Sequence, residues 1–232
     1  MQVKILSGGA AQGLVQALAD RLKVETGYAI AGSFGAVGAM RDKLMAGEEA
    51  DLLILTAAMI ADLARQGRVD ATSIRHVGIV ATGIAVRTGE PLPAIDSVDR
   101  LHAALSAAEA LYFPDPERAT AGIHFAKILQ KLDIAAWAKK ARTFANGAAA
   151  MRALASSRER PAIGCTQVTE ILNTAGVTLV GALPAPFELA TLYTAGISAT
   201  AAAPAQARAL SGLLTAADSH SLRQQMGFQP VA

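Results

Sequence analysis

The residues in this chain whose types and spacing could do chemistry are few and mostly uncharged. Four short runs of small residues stand between an apolar stretch and a helical pattern: Ser7-Gly8-Gly9-Ala10-Ala11, Ser33-Phe34-Gly35-Ala36-Val37-Gly38, Thr120-Ala121-Gly122 and Asn146-Gly147. The first turn of a helix has backbone N–H groups without intrahelical partners and carries the positive end of the helix dipole. A helix start built of small residues therefore lets an anion reach those donors. Several such starts gathered at the carboxyl ends of strands would hold a small anion with neutral groups alone. His124, four residues past Thr120, could serve as a donor or base, and Arg41, Arg118 and Arg152 lie close enough to these loops to clamp a carboxylate. Each of these features also occurs in ordinary capped helices and solvated surfaces, so it is their recurrence that points to an anion cleft.

The elements that must position these residues follow from periodicity. Residues 3–6, 29–33 and 51–55 read as strands, each followed by a small-residue loop and a helix: 12–26 closed by Gly27, then one ending at Leu44, then one capped by Thr56. Three strand–loop–helix repeats predict a mostly parallel sheet flanked by helices. Residues 77–86 form a longer strand that reads as a passage into a second lobe. There the pattern gives a helix at 98–107, a strand at 110–113 and a helix capped by Thr120 and running to Leu132. A helix at 133–141, one from Asn146-Gly147 to Leu154, and strands at 163–168, 177–180 and 189–198 complete it, with helices at 204–217 and 219–226 in the tail. The expected architecture is α/β with two lobes joined by hinge strands: 1–80 plus 190–232, and 81–189, with the ligand cleft between them.

Composition excludes several classes. A net charge of +2 over 232 residues gives no electrostatic footprint for nucleic acid, and no apolar run reaches the length of a membrane span. The single Cys165 forms no internal disulfide and reads as a small buried hydrophobe. Gly8-Gly9-Ala10-Ala11-Gln12-Gly13 is out of register for a dinucleotide fingerprint, and no acidic residue ends the second strand. There is no phosphate-binding P-loop and no nucleophile elbow. His76, His102, His124 and His220 have no metal-ligand spacing, so neither metal nor cofactor is expected. Asp115 and Glu117, in a proline-bracketed loop, read as solvated. A strand beginning at Gln2 leaves no signal peptide, which predicts a cytoplasmic chain, or a periplasmic one if a leader has been removed.

The order of motifs resembles the molybdate-binding proteins of ABC transporters, a branch of the type II periplasmic binding protein fold. Ser33-Phe34 and then Met45-Ala-Gly-Glu-Glu-Ala-Asp-Leu-Leu-Ile54 are similar to one family segment. Asp115-Pro116-Glu117 followed by Ala121-Gly122-Ile123 is similar to another, Gly164 to Glu170 to a third, and Gly227-Phe228 to the usual ending. The resemblance covers nearly the full length. It implies a hinged, monomeric solute-binding protein with a small anionic ligand and, if exported, an ABC permease as partner. It also implies a ligand set: Gly8, Gly9, Ala10, Phe34, Gly35, Ala36, Thr120, Ala121, Gly122, His124, Asn146, Gly147 and Gln167.

This chain departs from the family where the ligand is touched. Ala10 stands where the family offers a serine, Gly35-Ala36-Val37-Gly38 replaces a serine-rich run, and Gln167 replaces a tyrosine. A tetrahedral oxyanion loses several hydroxyl donors by these changes. The resulting expectation is a solute-binding protein for a small carboxylate. The alternative is an isomerase of the aconitate type on the same scaffold, with His124 as the imidazole placed to move a proton.

Overall fold

Alternating apolar patterns of period two and period 3.6 become strands and helices in sequence order. The computed structural model describes residues 1–134 and 136–231. It contains β1 (Gln2–Gly8), α1 (Gln12–Ala17), α2 (Ala19–Thr26), β2 (Ala29–Gly35), α3 (Val37–Met45), β3 (Leu52–Thr56), α4 (Ala57–Arg65) and β4 (Arg75–Arg87). Then follow α5 (Val98–Ala107), β5 (Ala110–Pro114), α6 (Thr120–Lys131), α7 (Trp137–Lys140), β6 (Ala141–Phe144) and α8 (Gly147–Ala155). The last elements are β7 (Ala162–Gln167), α9 (Val168–Leu172), β8 (Val177–Ala182), β9 (Ala190–Ile197), α10 (Pro204–Thr215) and α11 (His220–Gln225). The chain divides into a terminal unit, Met1–Val80 with Thr191–Ala232, and a central unit, Ala81–Ala190.

In the terminal unit β1 pairs in parallel with β2 and β3, and β9 runs antiparallel to β3. Leu52, Leu53, Ile54 and Leu55 are all fully buried, so β3 is covered on both faces. Asp51, also buried, fixes its start. Its carboxylate accepts the backbone N–H of Lys4 at 2.7 Å and of Ala203 at 2.8 Å, and its carbonyl accepts Ser198 N–H at 3.0 Å. One short side chain thus joins the beginnings of β1, β3 and α10. The helix expected at 12–26 is two helices, because Leu18 leaves helical geometry at ψ 0°. Gly27 ends the second with φ 74°, where a Cβ would be strained.

In the central unit β5 pairs in parallel with β6 and β7, while β4 runs antiparallel to β7 and β8. The sheet is therefore mixed, and the parallel expectation holds only for β7, β5 and β6 at one side of it. One face carries Ile84, Leu111, Phe113, Ile163 and Cys165, packed against Leu101 and Leu105 of α5 and Phe125, Ile128 and Leu129 of α6. Phe113 and Phe125 meet edge to face at 5.2 Å. The other face packs Tyr112 and Ala85 against Ala150, Met151 and Leu154 of α8. The predicted helix at 133–141 is shorter: Asp133 is left-handed (φ 48°) beyond α6, and only Trp137–Lys140 is helical. Ala135, within that predicted span, lies outside the described residues.

A polar knot holds the three parallel strands of the central unit. Glu159 accepts the Tyr112 hydroxyl at 2.8 Å, the Ser157 hydroxyl at 2.9 Å and the Arg142 guanidinium at 3.3 Å. These donors, the Tyr112 hydroxyl first among them, hold the Glu159 carboxyl at about 2, against an ordinary 4.5. A depressed carboxyl stabilises the fold above its unfolded value, and that stabilisation fades as pH falls from 4.5 toward 2. Glu159→Gln is therefore expected to lower the melting temperature at pH 7. The gap from wild type should close across that acid window in a pH series of thermal melts.

Candidate functional site

In the terminal unit β1 and β2 end together, with Ser7 opposite Phe34 and Gly8 opposite Gly35. A Cβ on Gly8 would lie 2.8 Å from Val37 Cγ1 and 3.0 Å from Tyr193 Cε1. The start of α3 thus presses on the first loop, and Gly8 is small for that reason. Gly9-Ala10-Ala11 makes one 3₁₀ turn, with Ala10 and Ala11 buried. The Phe34 ring turns back over Gly32, while Ala36 caps α3 in extended conformation without a side-chain hydrogen bond. Val37 and Gly38 are buried at that start. The first-turn amides of α3 are the donors this unit offers, and no hydroxyl caps them.

The three parallel strands of the central unit lead at their carboxyl ends into α6, α8 and α9, and of these the starts of α6 and α8 lie on opposite faces of the sheet. They are treated differently. On the α8 face, Asn146 Oδ1 accepts Ala149 N–H at 2.9 Å, an N-cap. The buried Glu170 carboxylate accepts the Thr166 hydroxyl at 2.6 Å and faces the backbone N–H groups of Ala148, Gln167 and Gly147. A Cβ on Gly147 would fall 2.0 Å from both Glu170 Oε2 and Thr166 Oγ1. Gly147 is therefore small because a carboxylate reaches the helix start. That carboxylate belongs to the chain itself. Burial pushes the Glu170 carboxyl up from its ordinary range, and the Thr166 hydroxyl and the amides oppose this.

On the α6 face no side chain caps the start. Thr120 is the first helical residue and Ala119 the cap, with no side-chain hydrogen bond. The sequence placed the cap on Thr120, but Asp115 forms the preceding turn: its carboxylate accepts Glu117 N–H at 2.7 Å and Arg118 N–H at 3.1 Å, and its carbonyl accepts Ala119 N–H at 3.1 Å. A Cβ on Gly122 would lie 2.3 Å from the carbonyl oxygens of Pro114 and Asp115, so the Ala121-Gly122 pair lets α6 lie against its own loop.

Gln167, the last residue of β7, alternates with Thr166 and so shares a face with Ile163 and Cys165, under α6. It is 3% exposed, and neither Oε1 nor Nε2 has a hydrogen-bond partner. Thr82 of β4 lies directly opposite Gln167, hence on the same face, and its buried Oγ1 is also unpartnered. Buried polar groups normally find partners, and these two residues without one stand side by side. His124 is tied elsewhere. Its Nε2 donates to the Phe187 carbonyl at 2.8 Å, and Lys131 Nζ sits 5.4 Å above the Phe187 ring.

The structure thus groups Thr120, Ala121, Gly122 and Gln167 at one end of one face, and sets Asn146 and Gly147 at the start on the opposite face. Arg41 pairs with Asp42 at 2.8 Å, and Arg118 and Arg152 are exposed. Cys165 is buried, which raises its thiol well above the ordinary value and leaves it unreactive. Among the described residues no group of acidic, His and Cys side chains could hold a metal. Two residues escaped the sequence reading. Thr82 was visible as a polar residue in an apolar strand; Glu170, an acidic residue early in a helix, gave no sign of burial.

A family model described as a bacterial extracellular solute-binding protein matches residues 3–229. An aconitate isomerase from a Pseudomonas species is 27% identical, covering 98% of this chain and 87% of that protein. The periplasmic molybdate-binding protein of Azotobacter vinelandii has the same fold, with a TM-score of 0.82 at 16% identity over 100% of both chains. The sulfate-binding protein of Mycobacterium tuberculosis superposes with a TM-score of 0.71 at 19% identity, over 100% of this chain and 87% of that one. Glu170→Ala is expected to cost about 2–5 kcal/mol in urea unfolding, since it strands the Thr166 hydroxyl and three amides. Asn146→Ala should cost about 1 kcal/mol, the loss of a cap alone.

Proposed function

We propose, for a chain that belongs to the bacterial extracellular solute-binding protein family, that its solute is a small carboxylate. The observation that carries this reading is Gln167, buried with both polar atoms unpartnered, on the face covered by α6, whose start no side chain caps. A primary amide and backbone N–H groups suit a planar carboxylate, which accepts two parallel hydrogen bonds. A tetrahedral oxyanion asks for donors all round. Glu170 supports the reading from within the fold, because a carboxylate is what the α8 start already holds. Any ligand that binds the native state raises its melting temperature by mass action. Citrate or tricarballylate, at about a hundredfold over its dissociation constant, should stabilise the protein by about 2.7 kcal/mol. Sulfate, molybdate and tungstate should leave the melt unchanged. A rise with tungstate and none with any carboxylate would reverse the assignment.

A second reading, isomerisation of aconitate, is favoured by the relative that covers 98% of the chain. Moving an allylic proton needs a base within hydrogen-bond reach of the carbon acid. His124 gives its Nε2 proton to the Phe187 carbonyl, so Nδ1 is the nitrogen left to act. If the chain is an isomerase, cis-aconitate absorbance will change with time in the presence of wild type and stay flat with His124→Ala. A flat trace with the wild type removes this reading.

A further inference from the structure

We propose that Thr82 and Gln167 form one reading pair, and that the pair selects a carboxylate with a hydroxyl beside it, a hydroxy acid. The inference rests on the carboxylate reading above and narrows it. A glutamine side chain presents a donor and an acceptor at once, and swapping the positions of Oε1 and Nε2 does not change this. Both atoms are buried and without partners, so a ligand that only accepts hydrogen bonds satisfies half of the group. Sulfate, molybdate and a simple carboxylate are such ligands at neutral pH. A hydroxy acid supplies what is missing. One carboxylate oxygen accepts from Nε2–H, the other from the Thr82 hydroxyl, and the ligand's own hydroxyl donates to Oε1.

The surroundings sharpen the selection. Thr82 and Gln167 end a sheet face whose other members are Ile84, Ile163, Cys165 and Phe113, packed under Phe125 of α6. Next to that apolar cluster the amide oxygen has no hydrogen-bond partner in the protein, and its penalty falls on the ligand that lacks a donor. The first-turn amides of α6 lie at the same end of the same face and favour the negative charge.

Calorimetric titration of the full chain with citrate and with tricarballylate, the same tricarboxylate without the hydroxyl, tests this directly. Citrate is expected to bind about tenfold to a hundredfold more tightly. Thr82→Val and Gln167→Leu should each weaken citrate by roughly tenfold or more and narrow the gap between the two acids. Thr82→Ser, which keeps the hydroxyl, should keep the gap. The unliganded melting temperature of Thr82→Val should equal or exceed that of wild type, because an orphaned buried hydroxyl has been replaced by a methyl. Equal binding of the two acids by the wild type overturns the inference and leaves the carboxylate reading standing. Binding of neither acid removes both. A gap that survives Thr82→Val and Gln167→Leu, with both variants folded by circular dichroism, also overturns it.

Discussion

A helix start must find partners for its free amides, and the α6 and α8 starts of the central unit solve this in opposite ways. At α8 the protein supplies the partner, a buried glutamate reached across from α9. At α6 no side chain caps the start, and a buried amide side chain with no partner lies at the same end of the sheet face. The first arrangement adds rigidity. The second leaves polar groups without a partner in the chain, and the proposed ligand would supply one. Most other features of the central unit follow from holding these two starts at the ends of β5, β6 and β7.

Close packing sets the small residues that fill the loops. Gly8 is pressed by Val37 and Tyr193, Gly122 by two carbonyl oxygens, and Gly147 by Glu170 and Thr166. From sequence alone all three look like space left for an anion. In the structure the space is taken by the protein's own atoms, and what remains for a ligand is the backbone amides and the side chains nearby. Of these, Gly122 lies in a segment that carries the family likeness, and there it is a packing residue. Such packing specifies how helices approach their strands, and this is consistent with one fold serving relatives whose names refer to different anions.

Much of the fold was legible because strong periodicities and Gly or Pro stops mark β1, β3, β5, α6 and α8 clearly. The errors arose where a neighbour overrode a local signal. Thr120 is a good N-cap by type, yet Asp115 forms the turn and moves the cap to Ala119. Leu18 interrupts a helix that no sequence feature breaks. Among the candidate site residues, Gln167 was singled out because it replaces a residue the resemblance made important. Thr82 was missed because the pairing that brings it opposite Gln167 joins residues far apart in the chain. Pairings of that kind leave no local pattern.

The side-chain amide of Gln167 offers the most direct measurement. In a ¹⁵N-labelled sample its two N–H resonances, assigned by their loss in Gln167→Leu, should move when citrate is added and stay in place with molybdate. If citrate binds and shifts other resonances while those of Gln167 remain fixed, this amide does not hold the ligand and the account of the site is wrong.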